Sequence, residues 1–450
     1  MLYEILKPLV KVFYHVYYKL NYSGIKNVPA NKPLIISPNH TNGFIDPVSI
    51  ATMIKIKVRF FARGDVFKGK IVKWILNDLN MSPMFRLQEG YGEIKKNNKT
   101  FEECRDLLSR NKALLIFPEA ICVPEKRLQP LKKGLSRIVF QTEELFDFKK
   151  NVWILPVGLN YTKPDKFRSE LFIYFGHPIS LKNYEEFYKN DKVRAINDFT
   201  KMLEKEMAKL IITINNKHND ELVEGIHEIY LHQWLKEKHK GKNSIEKRFH
   251  ARKEIVEMIN QQDEEDPKII ESLKEKVIPY LKKINKHKLR DHLLYPETIE
   301  RSGLASFFSD FFIIWFGMPV YALAIIMHGL PFYIAKKFSD KKIKQIEFYA
   351  SIRASMAMLL WLPNFFIQLL IVALAFRSWT LLMVYSLSAI LLGLFAVKYY
   401  SVYKKILGRW RLLRMVRTER KTVEELVNER AEIIEELNMM KKKKFITTLK

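Results

Sequence analysis

The stretch PNHTNGFIDP, from Pro38 to Pro47, sets a histidine and an aspartate six residues apart among Asn, Gly and Pro. Imidazole and carboxylate together can take a proton from a hydroxyl, because the carboxylate fixes one ring nitrogen and leaves the other free as a base. On a regular helix, six residues turn through about 600°, which would point the two side chains in different directions. They can cooperate only across a bend. Asp46 and Pro47, ahead of VSIATMI, form a helix-start pattern with Asp46 as N-cap and Pro47 as the first helical residue. His40 then sits in the loop leaving the apolar run PLIIS, and Gly43 lets the backbone turn back. On these residues alone two readings stand: a His-Asp proton-transfer pair, or a capped helix behind a polar loop with His40 exposed.

The elements around the pair are those of an α/β domain. PLIIS, VRFFA, ALLIF, WILPVGL and LFIYFG are short apolar runs that predict buried strands. Phe101 to Arg110 and Leu131 to Phe140 have helical spacing and alternate with them. Residues 1–22 carry Leu2, Ile5, Leu6, Leu9, Val12, Phe13, Val16 and Tyr17 at helical intervals beside lysines. This predicts an amphipathic helix, lying either in a membrane interface or on its own domain, with Pro8 as a kink. It is not a secretory signal, since Glu4, Lys7, Lys11 and Lys19 interrupt the apolar run.

With 450 residues there is room for two or three domains, and 76 Lys and Arg against 49 Asp and Glu leave a formal charge of +27. That balance asks for an anionic partner. No zinc-ligand spacing, RNA-binding aromatic pattern or helix-turn-helix arrangement points to nucleic acid, so anionic lipid is the expected partner. His218, His227, His232 and His239 lack metal-ligand spacing and are expected on a solvated helix. Cys104 and Cys122 are expected as free thiols.

Residues 182–303 form a charged helical extension, with an exposed break expected near Lys236 to Ser244. The region 304–400 belongs to the membrane. Ala354 to Phe376 and Trp379 to Val397 are two spans joined by Arg377 and Ser378, and basic flanks on both sides predict cytoplasmic ends. The run Ala305 to Ala335, broken at Gly317-Met318-Pro319 and Gly329-Leu330-Pro331, is expected as a re-entrant or interfacial hairpin. Residues 401–450 form a basic tail in which VEELVNERAEIIEEL makes a short amphipathic helix, fit to dock on another helix or to self-associate.

Three more blocks follow NHTNGFIDP in order: SPMFRLQEG with Arg86, IFPEAICVPEKRLQPLKKG with Glu119, and ILPVGLNY with Pro156. Together they resemble the glycerophospholipid acyltransferase family over roughly Met1 to Pro178. The five residues Thr41 to Ile45 between His40 and Asp46, where most of the family has four, are similar to the fungal-type glycerol-3-phosphate acyltransferases and bacterial relatives. The resemblance implies a mixed central sheet flanked by helices over 23–181. Its activity would be transfer of a fatty acyl group from acyl-CoA or acyl-ACP to the sn-1 hydroxyl of glycerol 3-phosphate, or to lysophosphatidic acid (1-acylglycerol 3-phosphate) as the alternative acceptor.

In that reaction His40 is the base and Asp46 its orienter, and Arg86 holds the acceptor phosphate through paired hydrogen bonds. Glu119 positions the acceptor or Arg86, and Asn39 joins the substrate-binding group. Lys132, Lys133 and Arg137 either add positive potential for substrate or form a solvated helix face. Arg63 and Asp65 are expected as a structural ion pair, and Cys122 as an inert thiol. Ala120 stands where the family has Gly, a strained choice if its φ is positive. No metal or other cofactor is called for, because the thioester is already activated. The resemblance implies an integral membrane protein of phospholipid synthesis with its catalytic domain facing the cytoplasm, in the bacterial inner membrane. A transporter is disfavoured by the scarcity of ionisable residues in the spans. A catalytically inactive membrane-binding relative is the remaining alternative.

Overall fold

The apolar runs become strands of one sheet because parallel strands covered on both faces need continuous hydrophobic sequence. The computed structural model describes residues 2–85, 97–238, 244–295 and 304–448. Arg86 and His239 lie outside them, as does most of the break expected near 236–244. The chain divides into two units, Met1–Thr213 with Ile343–Ile352, and Ile214–Lys342 with Arg353–Lys450.

In the first unit the strands are β1 (Lys19–Ser23), β2 (Leu34–Pro38), β3 (Val58–Arg63), β4 (Met81–Met84), β5 (Ala113–Leu115), β6 (Trp153–Tyr161), β7 (Glu170–Phe175) and β8 (Ile179–Ser180). Their order is β1-β7-β6-β2-β5-β3-β4, with β8 beside β6. Most neighbours are parallel, whereas β7 and β8 run antiparallel to β6. The central strand β2 is buried along its whole length. Helices α4 (Asn97–Ser109), α5 (Gly134–Leu145) and α7 (Lys192–Ala208) cover the sheet. Leu108, Ile138, Phe140, Phe199 and Leu203 close a core over Ile35, Leu114 and Ile154.

Residues 19–23 form a strand rather than the end of the N-terminal helix, which is α1 (Leu2–Tyr17). No residue of KLNYS is fully buried, and its polar Lys, Asn and Ser hide the strand from a search for continuous apolar runs. Tyr3, Tyr14 and Tyr17 of α1 are buried, whereas Ile5, Leu9 and Val12 are exposed. One face thus packs on its own domain and a second apolar face stays open.

The second unit contains α8 (Asp220–Lys238), α9 (Ile245–Glu265), α10 (Pro267–Lys286) and the C-terminal α14 (Arg420–Thr448). The amphipathic tail docks within the chain. Lys276 Nζ donates to Glu436 at 2.6 Å, and Arg430 pairs with the buried Asp291 at 3.0 Å, an aspartate that also accepts from Tyr280. His227 is buried, with its ring 3.3 Å from the Arg252 carbonyl, rather than solvated.

Three further helices are α11 (Leu304–Lys342), α12 (Ile346–Phe376) and α13 (Trp379–Thr418), each long and apolar enough to cross a membrane. The hairpin expected at 305–335 is not formed, because α11 runs unbroken through Pro319 and Pro331. Proline removes the N–H that would reach the carbonyl four residues back. For Pro331 that carbonyl belongs to Met327, and it accepts instead from Asn364 Nδ2 at 3.1 Å and Gln368 Nε2 at 2.7 Å. With its orphan carbonyl satisfied by a neighbouring helix, the chain has no reason to turn.

Candidate active site

The site lies at the C-terminal edge of the sheet, where β2 ends and the loop to helix α2 (Ile45–Met53) begins. Asn42 O accepts from both Ile45 N at 2.9 Å and Asp46 N at 3.3 Å, so α2 starts one residue before Asp46. Asp46 is therefore not the N-cap expected for it; its carboxylate faces back toward the loop. Oδ2 accepts from Thr41 N at 2.8 Å and Asn42 N at 2.7 Å, and lies 2.9 Å from His40 Nδ1. Gly43, with φ of +29°, makes the bend that brings the pair together.

Asp46 is fully buried, and His40 keeps 14% of its side chain exposed. An ionised carboxylate only accepts, so Nδ1 carries the proton and Nε2 is left with a free lone pair. Phe117 stacks on the imidazole with ring centroids 3.9 Å apart, which holds the ring plane. The arrangement can abstract a proton from a hydroxyl that reaches Nε2.

The FPEAIC segment braces the same loop. Glu119 Oε1 accepts from His40 N at 3.1 Å, Val123 N donates to His40 O at 3.0 Å, and Gly43 N donates to Cys122 Sγ at 3.1 Å. Burial pushes the Glu119 carboxyl up to about 8, offset in part by the His40 amide and raised further by the nearby Asp46 charge. Burial, then the Asp46 charge, likewise push the Cys122 thiol up, which keeps it protonated and unreactive. Ala120 has φ of +58°, the left-handed conformation that makes alanine strained there.

Asn39 is buried, and its side chain is spent on the main chain of Leu159: Nδ2 donates to the carbonyl at 3.1 Å and Oδ1 accepts from the amide at 2.7 Å. It braces β2 against β6, where the sequence suggested a substrate contact. Lys132, Lys133 and Arg137 are exposed around the start of α5, and Lys132 N donates to Pro118 O at 2.7 Å. That hydrogen bond ties the helix start to the Glu119 turn. Arg63 and Asp65 form the expected ion pair, 2.6 Å between Nη2 and Oδ2. Among the described residues no group of three His, Cys, Asp or Glu could hold a metal ion.

Sequence reasoning missed Tyr161, whose hydroxyl donates to Asp46 Oδ1 at 2.7 Å, and Tyr18, which accepts from Asn42 Nδ2 at 3.2 Å. Burial, reinforced by the Asp46 charge, pushes the Tyr161 hydroxyl well above its usual range, so it stays a donor. A signal for Tyr161 was present in the strand pattern. β6 runs parallel to β2 with Val157 opposite Pro38, so residues just after Val157 must reach the edge where His40 emerges.

Residues 19–160 match the family model described as Acyltransferase. The chain is similar to "Glycerol-3-phosphate O-acyltransferase 1" of Saccharomyces cerevisiae, 26% identical over 243 residues that cover 53% of this chain and 31% of that protein. It is also similar to "1-acyl-sn-glycerol-3-phosphate acyltransferase LPAT1, chloroplastic" of Arabidopsis thaliana, 23% identical over 31% of this chain and 37% of that protein. The chain thus spans about a third of the length of these curated relatives. Among solved structures, the 1-acyl-sn-glycerophosphate acyltransferase PlsC from Thermotoga maritima aligns with 18% identity and a TM-score of 0.33, over 45% of this chain and 78% of that one. The residues matched by the Acyltransferase model, 19–160, are those that carry the His40 loop, the Glu119 turn and most of the sheet that positions them.

Proposed function

We propose that the chain is a membrane-bound glycerolipid acyltransferase that moves a fatty acyl group from an acyl thioester to the sn-1 hydroxyl of glycerol 3-phosphate. The observation that carries this reading is the Asp46 carboxylate on His40 Nδ1, which leaves Nε2 as a base within an acyltransferase-family domain. The hydroxyl oxygen attacks the thioester carbonyl carbon as Nε2 takes its proton. The carbon–sulfur bond then breaks, and the proton passes from Nε2 to the departing thiolate, giving ester and free thiol. Asp46 stabilises the imidazolium between the two steps. Glu119 holds the His40 amide and so the height of the ring above the sheet edge. Arg86 is the proposed phosphate ligand, with Lys132, Lys133 and Arg137 adding positive potential.

The long match to the yeast protein supports glycerol 3-phosphate as acceptor. The similarity to the plant protein favours 1-acylglycerol 3-phosphate as the second reading. The three apolar helices and the charge of +27 support work at an anionic membrane, and the basic flanks of the spans support a catalytic unit on the cytoplasmic side. Offering labelled acyl thioester with each acceptor separately to the full chain in liposomes tests the proposal. Lysophosphatidic acid forming from glycerol 3-phosphate supports the first reading, phosphatidic acid forming only from the monoacyl acceptor supports the second, and no product with either sinks both.

A further inference from the structure

Residues 343–352 belong to the catalytic unit although about 130 residues of the other unit separate them from it in sequence. They include the first turn of α12, and they pack on the histidine loop itself. Phe44 and Phe348 face each other with ring centroids 6.1 Å apart. Gly43 is so tightly covered that a Cβ there would lie 2.6 Å from Ser351 Oγ and 2.9 Å from Phe348 Cδ1. Phe44 is nonetheless 39% exposed, Ile121 on the neighbouring Glu119 turn is 40% exposed, and Phe348 is half-buried. Phe44 and Phe348 therefore present an apolar pair beside the His40 loop, and Ile121 exposes a third apolar side chain on the turn that holds that loop.

Glycerol 3-phosphate, a polar acceptor, has no use for such exposed apolar side chains. A fatty acyl chain has, since its thioester carbon must reach His40 while its tail stays out of water. We infer that Phe348, with Phe44 and Ile121, takes the acyl chain of the donor, making the start of α12 a donor-specificity element of the acyl-transfer site. The inference rests on the proposed function for the nature of the occupant.

The test uses the full chain in lipid nanodiscs and two readouts. The first is turnover with short-chain and long-chain thioesters. The second is binding of non-reactive long-chain alkyl thioethers of coenzyme A and of acyl carrier protein, beside the same carriers without a chain. Phe348→Ala is expected to raise KM for the long-chain donor by about tenfold and to weaken thioether binding by a similar factor. KM for the phosphate acceptor and for short-chain donors should stay within about twofold, and Phe348→Leu should recover most of the loss. An equal loss for every donor and acceptor, or no change in thioether binding, overturns the inference in favour of simple packing. The two readings fail separately: wild-type protein that binds the chain without transferring it contradicts the proposed function, whereas active protein indifferent to Phe348 contradicts only this inference.

Discussion

Tyr161 Oη donates to Asp46 Oδ1 at 2.7 Å from 115 residues away in the chain, so the carboxylate that orients His40 is itself oriented by the neighbouring strand. With Thr41 N, Asn42 N and His40 Nδ1 on the other oxygen, Asp46 meets four donors in a buried setting. A carboxylate so held has one position.

Removing the hydroxyl with Tyr161→Phe leaves ring packing intact and takes one charge-assisted donor from Asp46. Stability is expected to fall by about 1.5–3 kcal/mol. With one of its anchors gone, the carboxylate can turn away from His40 Nδ1, so kcat should fall while KM for donor and acceptor stays close to wild type. A purely structural tyrosine would lower stability and leave kcat in place.

Glu119 predicts a second pH effect. Its carboxyl titrates at about 8 in the fold against 4.5 when unfolded. Between those values the folded chain keeps a proton that the unfolded chain has lost, so its contribution makes stability fall as pH rises. The slope is at most about 1.4 kcal/mol per pH unit. Glu119→Gln should flatten the thermal-unfolding profile across that window, and a variant with an unchanged slope would show that Glu119 is ionised in the fold.

Ala120 adopts φ of +58° where glycine carries no steric cost. Ala120→Gly is expected to stabilise the catalytic unit by about 1 kcal/mol, read as a rise of about 2–4 °C in Tm. A fall in Tm would mean that the methyl group contributes packing that outweighs the strain.

The carbonyl of Met327 gives a prediction for the apolar helices. Replacing both Asn364 and Gln368 with leucine leaves it without the two amide donors that make up for Pro331. Stability of the helices in bicelles should fall by about 1–2 kcal/mol. Adding Pro331→Ala, which restores the helical N–H, should recover most of that loss.

How much of this was legible in sequence follows from where each cause lies. PLIIS and WILPVGL are strands covered on both faces, and coverage on both faces writes itself as an unbroken apolar run. KLNYS pairs just as surely with β7 but none of its residues is fully buried, so it carries no such mark. His40 and Asp46 could be read because the bend that joins them is local, built from Gly43 and Asn42. Tyr161, Phe117 and Phe348 could not be read the same way, since each reaches the loop through tertiary structure from 70 to 300 residues away. Pro331 of α11 misled for a related reason: a proline warns of a lost hydrogen bond, and only the fold discloses that Asn364 and Gln368 replace it.

The most direct test of the central claim is single-turnover acyl transfer by the full chain in liposomes, comparing wild type with His40→Ala and Asp46→Asn. The account predicts transfer by wild type and a loss of about 10³–10⁴-fold in His40→Ala. Asp46→Asn should lose a similar amount because the imidazole is no longer held in the reactive tautomer, and acyl-donor binding should be kept in both. Transfer by His40→Ala at the wild-type rate would contradict the account, because the hydroxyl would then be losing its proton to some other group.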